Sequence, residues 1–551
     1  MIFRAFFFAH FKNPPIFFKK ILTNASKNAA LRALVYKRYS VRHRWTLSHL
    51  KWRRFLCYLS NSPDSHADFQ EFFASNFLKF YPDPFSLSRQ TWKVIVQFWH
   101  MDLSQTELIL MDSYSKMGPM PRQPSSMLRS YLLSLKLKVT SVTDWVSKLK
   151  ECPLYAILSG FSPGDVPGIG TFYDFFWHMW NSDKKHLSTQ FRYKKKKTPK
   201  GKKHGDKTPN IEDTAAFRFI RFFKKHPLPD SSGSPLSLIF RLYNQQFLDI
   251  SVSRGLINPS AITLAGDGTP VRTMARPRYK KACKCSEKGI LHCNCKRMFS
   301  QPDCNIRWDS SRDCYFNGYH LYMFVASDSE NDLPVFPLLE RASRHDMLSF
   351  LHSFFTMKTW LPEYRVAKLL LDAAHDADAV YRYCQETGIQ PFIDLNSGNT
   401  GNFIYKDTFT VGSDGVPVCK LGLRMKPDGV EPDRNRCKWR CPKTNRSGCH
   451  CETPCSDSPY GRVVHTPTKD NPRLFNIPPR NSKEWDKEYD RRTSVERSNK
   501  REKEDYKLED GRHRSSMMWY CRLYGIMMLQ HLDAWGMPSV EAFQTVLSSN
   551  A

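Results

Sequence analysis

The feature that most constrains this fold is an alternation of strand-length and helix-length apolar segments that begins near residue 261. Val366–Leu371 has a strand-like pattern, whereas Asp346–Leu361 and Ala377–Thr387 repeat apolar residues at helical spacing. Further strands are predicted at Ala261–Ala265, Gly318–Ala326 and Leu333–Leu339. This order is typical of a mixed α/β fold, in which helices cover a sheet.

The chain before this region has a helical pattern. Met127–Leu135, Trp145–Leu149 and Thr171–Trp180 predict helices separated by Gly and Pro turns. We therefore predict a helical domain at residues 91–190 that could bind DNA ends. Helices of this kind are, however, common in any helical core. Residues 1–90 mix aromatic with basic residues, and we favour packing of these aromatics in a core over stacking on DNA bases.

The charge balance favours a polyanionic partner. Lys and Arg number 83 and Asp and Glu number 53, which gives a formal net charge of +30. Such an excess is uncommon in a protein without an anionic ligand, so nucleic acid is the leading partner, whether DNA or RNA. The Lys-rich stretch at 191–210 predicts a cationic linker, which can also be read as a solvated hinge.

The sequence predicts a cytoplasmic protein with no membrane partner. The Phe-rich N-terminal run is broken by Arg4 and His10, no small-residue cleavage site follows it, and no apolar stretch approaches the length of a membrane span. In a reducing compartment, the sixteen cysteines are predicted to be thiols or metal ligands rather than a disulfide framework.

Two aspartates are placed where strands are predicted to end. Asp267 follows Ala261–Ala265 within a Gly-Asp-Gly sequence, and Asp372 follows Val366–Leu371. Carboxylates at the ends of neighbouring strands can share divalent cations such as Mg²⁺. Each aspartate taken alone is more often a turn or helix-cap residue.

A charged helix near residues 487–507 supplies a third carboxylate. At 100° per residue, Tyr489, Arg492, Glu496 and Lys503 fall within a sector of about 60° and share one face. Such a face could add Glu496 to a metal site while the other side chains bind DNA phosphates. A solvated charged face is the simpler alternative.

The spacing Tyr489-x2-Arg492-x3-Glu496-x6-Lys503 resembles the signature of a large group of DDE transposases from bacterial insertion sequences. The resemblance implies an RNase H-like core in which Asp267, Asp372 and Glu496 hold two Mg²⁺ (or Mn²⁺) ions. It also implies that Tyr489 and Arg492 hold transposon-end phosphates, and that Lys503 contacts DNA near the cleaved strand.

The activity implied by this resemblance is Mg²⁺-dependent cleavage and strand transfer in cut-and-paste transposition. Its partners would be double-stranded DNA, namely the terminal inverted repeats and the target, and the protein would act as a dimer on DNA in the nucleoid. Three alternatives stay open: a decayed transposase that only binds DNA, a non-transposing metal nuclease, and a zinc-dependent nucleic-acid-binding module without chemistry.

The long interval between Asp372 and Glu496 predicts an insertion. One strand and one helix need far fewer residues, so an inserted, cysteine-containing subdomain is predicted at 395–480. It would divide the core into 211–394 and 481–551. The resemblance implies that this subdomain is β-rich, because related transposases carry a β-rich insertion at this point.

Two cysteine clusters share the run Cys-x7-Cys-x-Cys. Thiolates gathered in this way favour tetrahedral Zn²⁺, although free or redox-active thiols are the alternative. The possible zinc ligands are Cys283, Cys285, Cys293 and Cys295 in the first cluster, and Cys437, Cys441, Cys449, Cys451 and Cys455 in the second.

Overall fold

The structure, a computed structural model, describes residues 65–82, 87–115, 117–187, 214–275, 280–281, 283–290, 297–298, 301–396, 403–406, 409–480 and 482–549. The chain divides into two compact units. The first comprises Met1–Ser62 and Lys116–Met120, of which only 117–120 are described, and the second comprises Pro63–Ser115 and Pro121–Ala551. All helices and strands given below belong to the second unit. The predicted linker at 191–210 and residues 1–64 of the predicted N-terminal extension lie outside the described residues.

Seven α-helices are described between residues 65 and 187. Ser65 and Ser88 cap the first two, because each hydroxyl accepts a backbone N–H of the first turn. Phe69, Phe73 and Phe77 lie one turn apart on the first helix and are buried, so these three aromatic residues pack into the core. The helices are α1 (His66–Phe80), α2 (Arg89–Trp99), α3 (Thr106–Leu110), α4 (Pro124–Lys136), α5 (Val142–Glu151), α6 (Pro153–Ser159) and α7 (Ile169–His178).

Three further helices lead to a mixed sheet. They are α8 (Ala215–Lys225), α9 (Ser237–Tyr243) and α10 (Asp249–Ser253), the last two joined by a π-helical turn at Asn244–Leu248. The strands that follow are β1 (Ile262–Arg272), β2 (Lys280–Lys281), β3 (Arg297–Met298), β4 (Asn305–Asp309), β5 (Cys314–Ala326), β6 (Leu333–Arg341), β7 (Val366–Leu371) and β8 (Gln390–Ile393).

The main sheet has the strand order β6–β5–β1–β7–β8, with β4 paired to the first residues of β5. Strands β6, β5 and β1 are antiparallel neighbours, whereas β7 is parallel to β1 and β8 is parallel to β7. The short strands β2 and β3 pair only with each other. The predicted mixed α/β fold with a helical N-terminal region is confirmed.

Strand β1 is longer than the sequence predicted. The predicted strand ended at Ala265, where the parallel pairing with β7 does end. The strand nevertheless continues to Arg272, because Gly266–Arg272 pairs antiparallel with β5. The prediction that Asp267 follows the end of this strand is therefore wrong, since Asp267 lies within β1 opposite Met323.

Helices pack on the sheet and join it to the N-terminal helices. Gly525 faces α4 at close range, because a Cβ built on it would lie 2.6 Å from Leu135 Cδ1. One hydrophobic cluster accordingly contains buried residues from both regions. The helices are α11 (Asp346–Trp360), α12 (Asp378–Thr387), α13 (Lys483–Tyr489), α14 (Thr493–Lys500), α15 (Ser516–Ala534) and α16 (Val540–Ser549). None in the described ranges is both long enough and apolar enough to cross a bilayer.

The predicted β-rich insertion forms small sheets with separate hydrophobic clusters. One cluster is built around Trp439 and Val464, and another around Val411 and Phe475. The strands are β9 (Phe403–Tyr405), β10 (Phe409–Val411), β11 (Pro417–Val418), β12 (Lys426–Glu431), β13 (Arg436–Arg440), β14 (Thr444–Asn445), β15 (Gly448–Cys449) and β16 (Val463–Pro467). Strands β9–β11 form one sheet, and β12, β13 and β16 form another.

Glu502 is a fully buried acidic residue in the π-helical turn Arg501–Asp505 that follows α14. Burial raises the pKa of its carboxyl to about 8, whereas a Glu in the unfolded chain ionises near pH ~4.3. The folded protein therefore holds one more proton than the unfolded chain between these values. Consequently, this group makes the free energy of unfolding fall as the pH rises from about 4 to about 8.

We expect Glu502→Gln to raise the midpoint of thermal unfolding at pH 8 and to change it little below about pH 5. The gain in the free energy of unfolding at pH 7 should be on the order of 3 kcal/mol, because the mutant needs no proton to bury this side chain. Glu504→Gln is the matched control, since Glu504 is exposed on the same turn. A Glu502→Gln protein with the pH dependence of the wild type would contradict this assignment.

Candidate functional site

Asp267 lies on β1, and Asp372 directly follows the adjacent parallel strand β7 at the equivalent position. Ala265 of β1 pairs with Leu370 of β7, and the two aspartates lie two residues further along their strands. Asp267 Oδ1 accepts the Gly268 N–H at 2.8 Å. Asp372 begins a 3₁₀ turn, where its Oδ1 accepts the Ala374 N–H at 3.1 Å. The register thus places two carboxylates side by side where the parallel pairing of β1 and β7 ends.

The two carboxylates interact electrostatically. Burial raises the pKa of Asp267 to about 6, and the negative charge of Asp372 acts in the same direction. Burial would also raise the pKa of Asp372, but a hydrogen bond with His375 keeps this pKa below its usual value. A divalent cation would relieve the repulsion between the two groups, so this pair fits the metal that the resemblance implies.

His375 holds Asp372 from the interior of the protein. Its side chain is fully buried, with Nδ1 2.5 Å from Asp372 Oδ1 and Nε2 3.0 Å from the Tyr322 hydroxyl. Nδ1–H therefore donates to the carboxylate, and Nε2 accepts from the phenol. The ring also packs edge-on against Phe350. His375 was not among the predicted site residues, although it follows Asp372 by only three positions.

A second buried histidine supports the backbone beside Asp267. His320 Nδ1 accepts from Arg307 at 2.9 Å, and Nε2 lies 2.9 Å from Asp346 Oδ1. A Cβ on Gly268 would lie 2.3 Å from His320 Cε1. Glycine is therefore required beside Asp267 because β1 passes directly over this histidine.

The helical run after the insertion brings Arg492 to the aspartates. Its positive charge lowers the pKa of both Asp267 and Asp372. Its Nη2 donates to Glu496 Oε1 at 2.7 Å, and Glu496 is half exposed. The guanidinium also lies 5.8 Å from the ring centroid of Tyr489. Arg492 therefore interacts with Tyr489, with Glu496 and with the two aspartates, whereas Glu496 does not stand together with Asp267 and Asp372 as a set of three metal ligands within the described residues.

Lys503 approaches β1 from the same helical run. Its Nζ donates to Thr269 Oγ1 at 2.5 Å, two residues beyond Asp267, and burial lowers the pKa of the amine. The prediction assumed a uniform 100° per residue, but the run contains a 3₁₀ turn at Asp490–Arg492 and a π turn at Arg501–Asp505. The side chains reach the site although the helix is irregular.

The predicted cysteine ligands lie in different environments. Cys283 and Cys285 are on a described turn at 283–290, whereas Cys293 and Cys295 lie outside the described residues. Cys437 is buried in β13, while Cys441, Cys449, Cys451 and Cys455 lie at or beyond its end. No set of three or more His, Cys, Asp or Glu side chains within the described ranges stands together in a metal-binding arrangement.

The sequence matches no model of a known protein family, and it has no match among curated proteins.

Proposed function

We propose that this chain is a DDE transposase that cleaves and joins transposon-end DNA in a metal-dependent reaction. The observation that carries the proposal is the adjacent placement of Asp267 and Asp372 on parallel strands, facing the helix that bears Arg492 and Glu496. A solvated helix face, the simpler alternative, would not require that Arg492 interact with both aspartates.

The strand order supports an RNase H-like core. Among the strands that pair along the main sheet, β1 comes first in sequence, followed by β5, β6, β7 and β8, with β4 as a short addition at the edge. Asp267 is then on the first strand and Asp372 directly follows the fourth. These are the places from which such a core supplies its two aspartates.

Asp267, Asp372 and Glu496 would hold two Mg²⁺ or Mn²⁺ ions. When bound, such ions activate the attacking hydroxyl and stabilise the leaving oxygen during displacement at phosphorus. His375 fixes the orientation of the Asp372 carboxylate. Arg492 and Tyr489 would bind phosphates of the transposon end, which requires Arg492 to exchange its bond with Glu496 for one with DNA.

Lys503 and the overall charge support a DNA partner. Lys503 lies next to Thr269, where it would meet DNA close to the cleaved strand. The net charge of +30 would favour counterion release from a long duplex. We propose double-stranded terminal repeats and target DNA as partners, a dimer that holds two ends, and action at the nucleoid.

The direct test is an assay for cleavage and strand transfer with the full chain. Purified protein is incubated with Mg²⁺ and duplexes that cover the genomic DNA on both sides of the gene, together with a supercoiled target plasmid. We expect cuts at a repeat boundary and joined products, both of which disappear in Glu496→Gln. Glu504→Gln is the control, since that carboxylate is exposed and outside the site.

Each competing function gives a different result in this assay. A nuclease cuts DNA but joins nothing, and a decayed transposase binds the ends without cutting them. A zinc-dependent binding module also fails to cut, and it loses binding when a chelator is added. Any of these three outcomes would overturn the proposal.

A further inference from the structure

The segment Cys441–Arg462 joins β13 to β16 without a hydrophobic core of its own. Its sequence contains no Ala, Val, Leu, Ile, Met, Phe or Trp, and its single aromatic residue, Tyr460, is 61% exposed. The neighbouring cluster ends at Trp439 and Val464, outside this segment. Apolar burial therefore cannot fix the shape of this segment, which we call the cysteine strap.

Backbone hydrogen bonds close the base of the cysteine strap at two of its cysteines. The Cys441 N–H donates to the Arg462 carbonyl at 3.0 Å, and the Cys449 N–H donates to the Pro459 carbonyl at 2.8 Å. Strands β14 and β15 form a two-residue hairpin between these points. The chain is thus folded back so that Cys441 and Cys449 approach each other.

Gly461 lies against both of these cysteines. A Cβ built on Gly461 would lie 2.4 Å from Thr444 Oγ1, 3.2 Å from Cys441 Cβ and 3.7 Å from Cys449 Sγ. Cys441 is buried although the strap is otherwise largely exposed. Cys451 and Cys455 are also only partly exposed, whereas the residues between them are exposed. Cys441 and Cys449 are therefore the two cysteines that the structure brings to one point, and Cys451 and Cys455 follow them at partly buried positions of the strap.

Cys437 does not belong to this group. It lies within β13 in the same hydrophobic cluster as Trp439, and its thiol donates to the Asn476 carbonyl at 3.2 Å. Burial raises its pKa to about 12, and its side chain lies with the apolar residues of this cluster rather than in the strap. The five predicted ligands of this cluster are reduced to the four in the strap.

We propose that Cys441, Cys449, Cys451 and Cys455 bind one structural Zn²⁺ ion that holds the cysteine strap in place of a hydrophobic core. Four thiolates form a closed tetrahedral site with Zn–S bonds of about 2.3 Å. Cys451 lies two residues after Cys449, and Cys455 lies six residues after Cys449. The chain is therefore long enough for both thiols to turn toward the Cys441–Cys449 pair. This proposal does not depend on the transposase assignment.

The test is the zinc content of full-length protein purified without chelators. We expect Cys449→Ser to contain about one zinc ion less per chain than the wild type, because a structural site needs all four ligands. Cys419→Ser is the matched control, since Cys419 lies in the same insertion outside the strap, and its zinc content should not change. Measuring the difference between variants excludes any zinc held by the cluster at Cys283.

Limited trypsin digestion of the wild type provides a second readout if Cys449→Ser folds poorly. Lys443 and Arg446 are exposed in the strap, so a chelator should accelerate cleavage there, and added Zn²⁺ should restore protection. An unchanged zinc content in Cys449→Ser would overturn the proposal. So would a wild type whose strap is cleaved at the same rate with and without chelator, or a disulfide between Cys441 and Cys449 in place of zinc.

Discussion

Asp267→Asn is expected to lower the rate of DNA cleavage on the order of a thousandfold or more, because losing a metal ligand removes several kcal/mol of transition-state stabilisation. Asn keeps the size of the side chain and can still accept the Gly268 N–H, so β1 should stay intact. Binding of end DNA should persist, since Arg492, Tyr489 and Lys503 are unchanged. The measurements are single-turnover cleavage and a gel-shift assay on the same duplexes.

Asp433→Asn is the control for this experiment, because Asp433 is exposed in the insertion and distant in sequence from the site. It should cleave at the wild-type rate. Cleavage by Asp267→Asn within about tenfold of the wild-type rate, a loss of only ~1.4 kcal/mol, would show that this carboxylate is not a catalytic metal ligand. Loss of DNA binding together with cleavage would instead indicate a structural defect.

Asp376→Asn is expected to lower the free energy of unfolding by about 3 kcal/mol, since removing one partner of a buried ion pair leaves the other charge uncompensated. The Asp376 side chain is fully buried and accepts two hydrogen bonds from Arg473, at 2.8 Å and 2.6 Å. It also accepts the Asn396 N–H at 2.9 Å. These bonds tie the turn after β7 to the end of the insertion, and the loss should appear in thermal unfolding.

The chain offers a matched surface pair for comparison. Asp332 accepts two hydrogen bonds from Arg497, at 2.6 Å and 2.7 Å, but Arg497 is half exposed. We expect Asp332→Asn to cost less than about 1 kcal/mol, because water screens an exposed ion pair. Equal losses from the two variants would contradict the view that the Asp376–Arg473 pair anchors the insertion.

Elements set by local apolar patterns could be predicted from the sequence. The predicted bounds of Val366–Leu371 agree with those of β7, since this strand is apolar except for Lys368 and lies next to a polar turn. The strand predicted from the sequence ended at Ala265, because residues 266–272 have no apolar pattern. These residues belong to β1 through their pairing with β5. Pairing partners are not visible in local periodicity.

The candidate site was only partly predictable for the same reason. Strand positions and helix spacing identified Asp267, Asp372 and Glu496, but Tyr322 and His375 meet only through the register of the folded sheet. Asp376 and Arg473 are 97 residues apart in sequence, so no motif joins them. Cysteine spacing could not separate Cys437 from the strap, because the distinction depends on which thiol faces a hydrophobic cluster.

Anomalous diffraction from crystals of the full chain soaked in Mn²⁺, with Asp267→Asn crystals treated in parallel, tests most directly whether these aspartates bind metal. If they do, manganese peaks should appear against the Asp267 and Asp372 carboxylates and should be lost in the variant. Peaks elsewhere on the protein with none at these two aspartates, or peaks that persist in Asp267→Asn, would contradict metal binding by this pair.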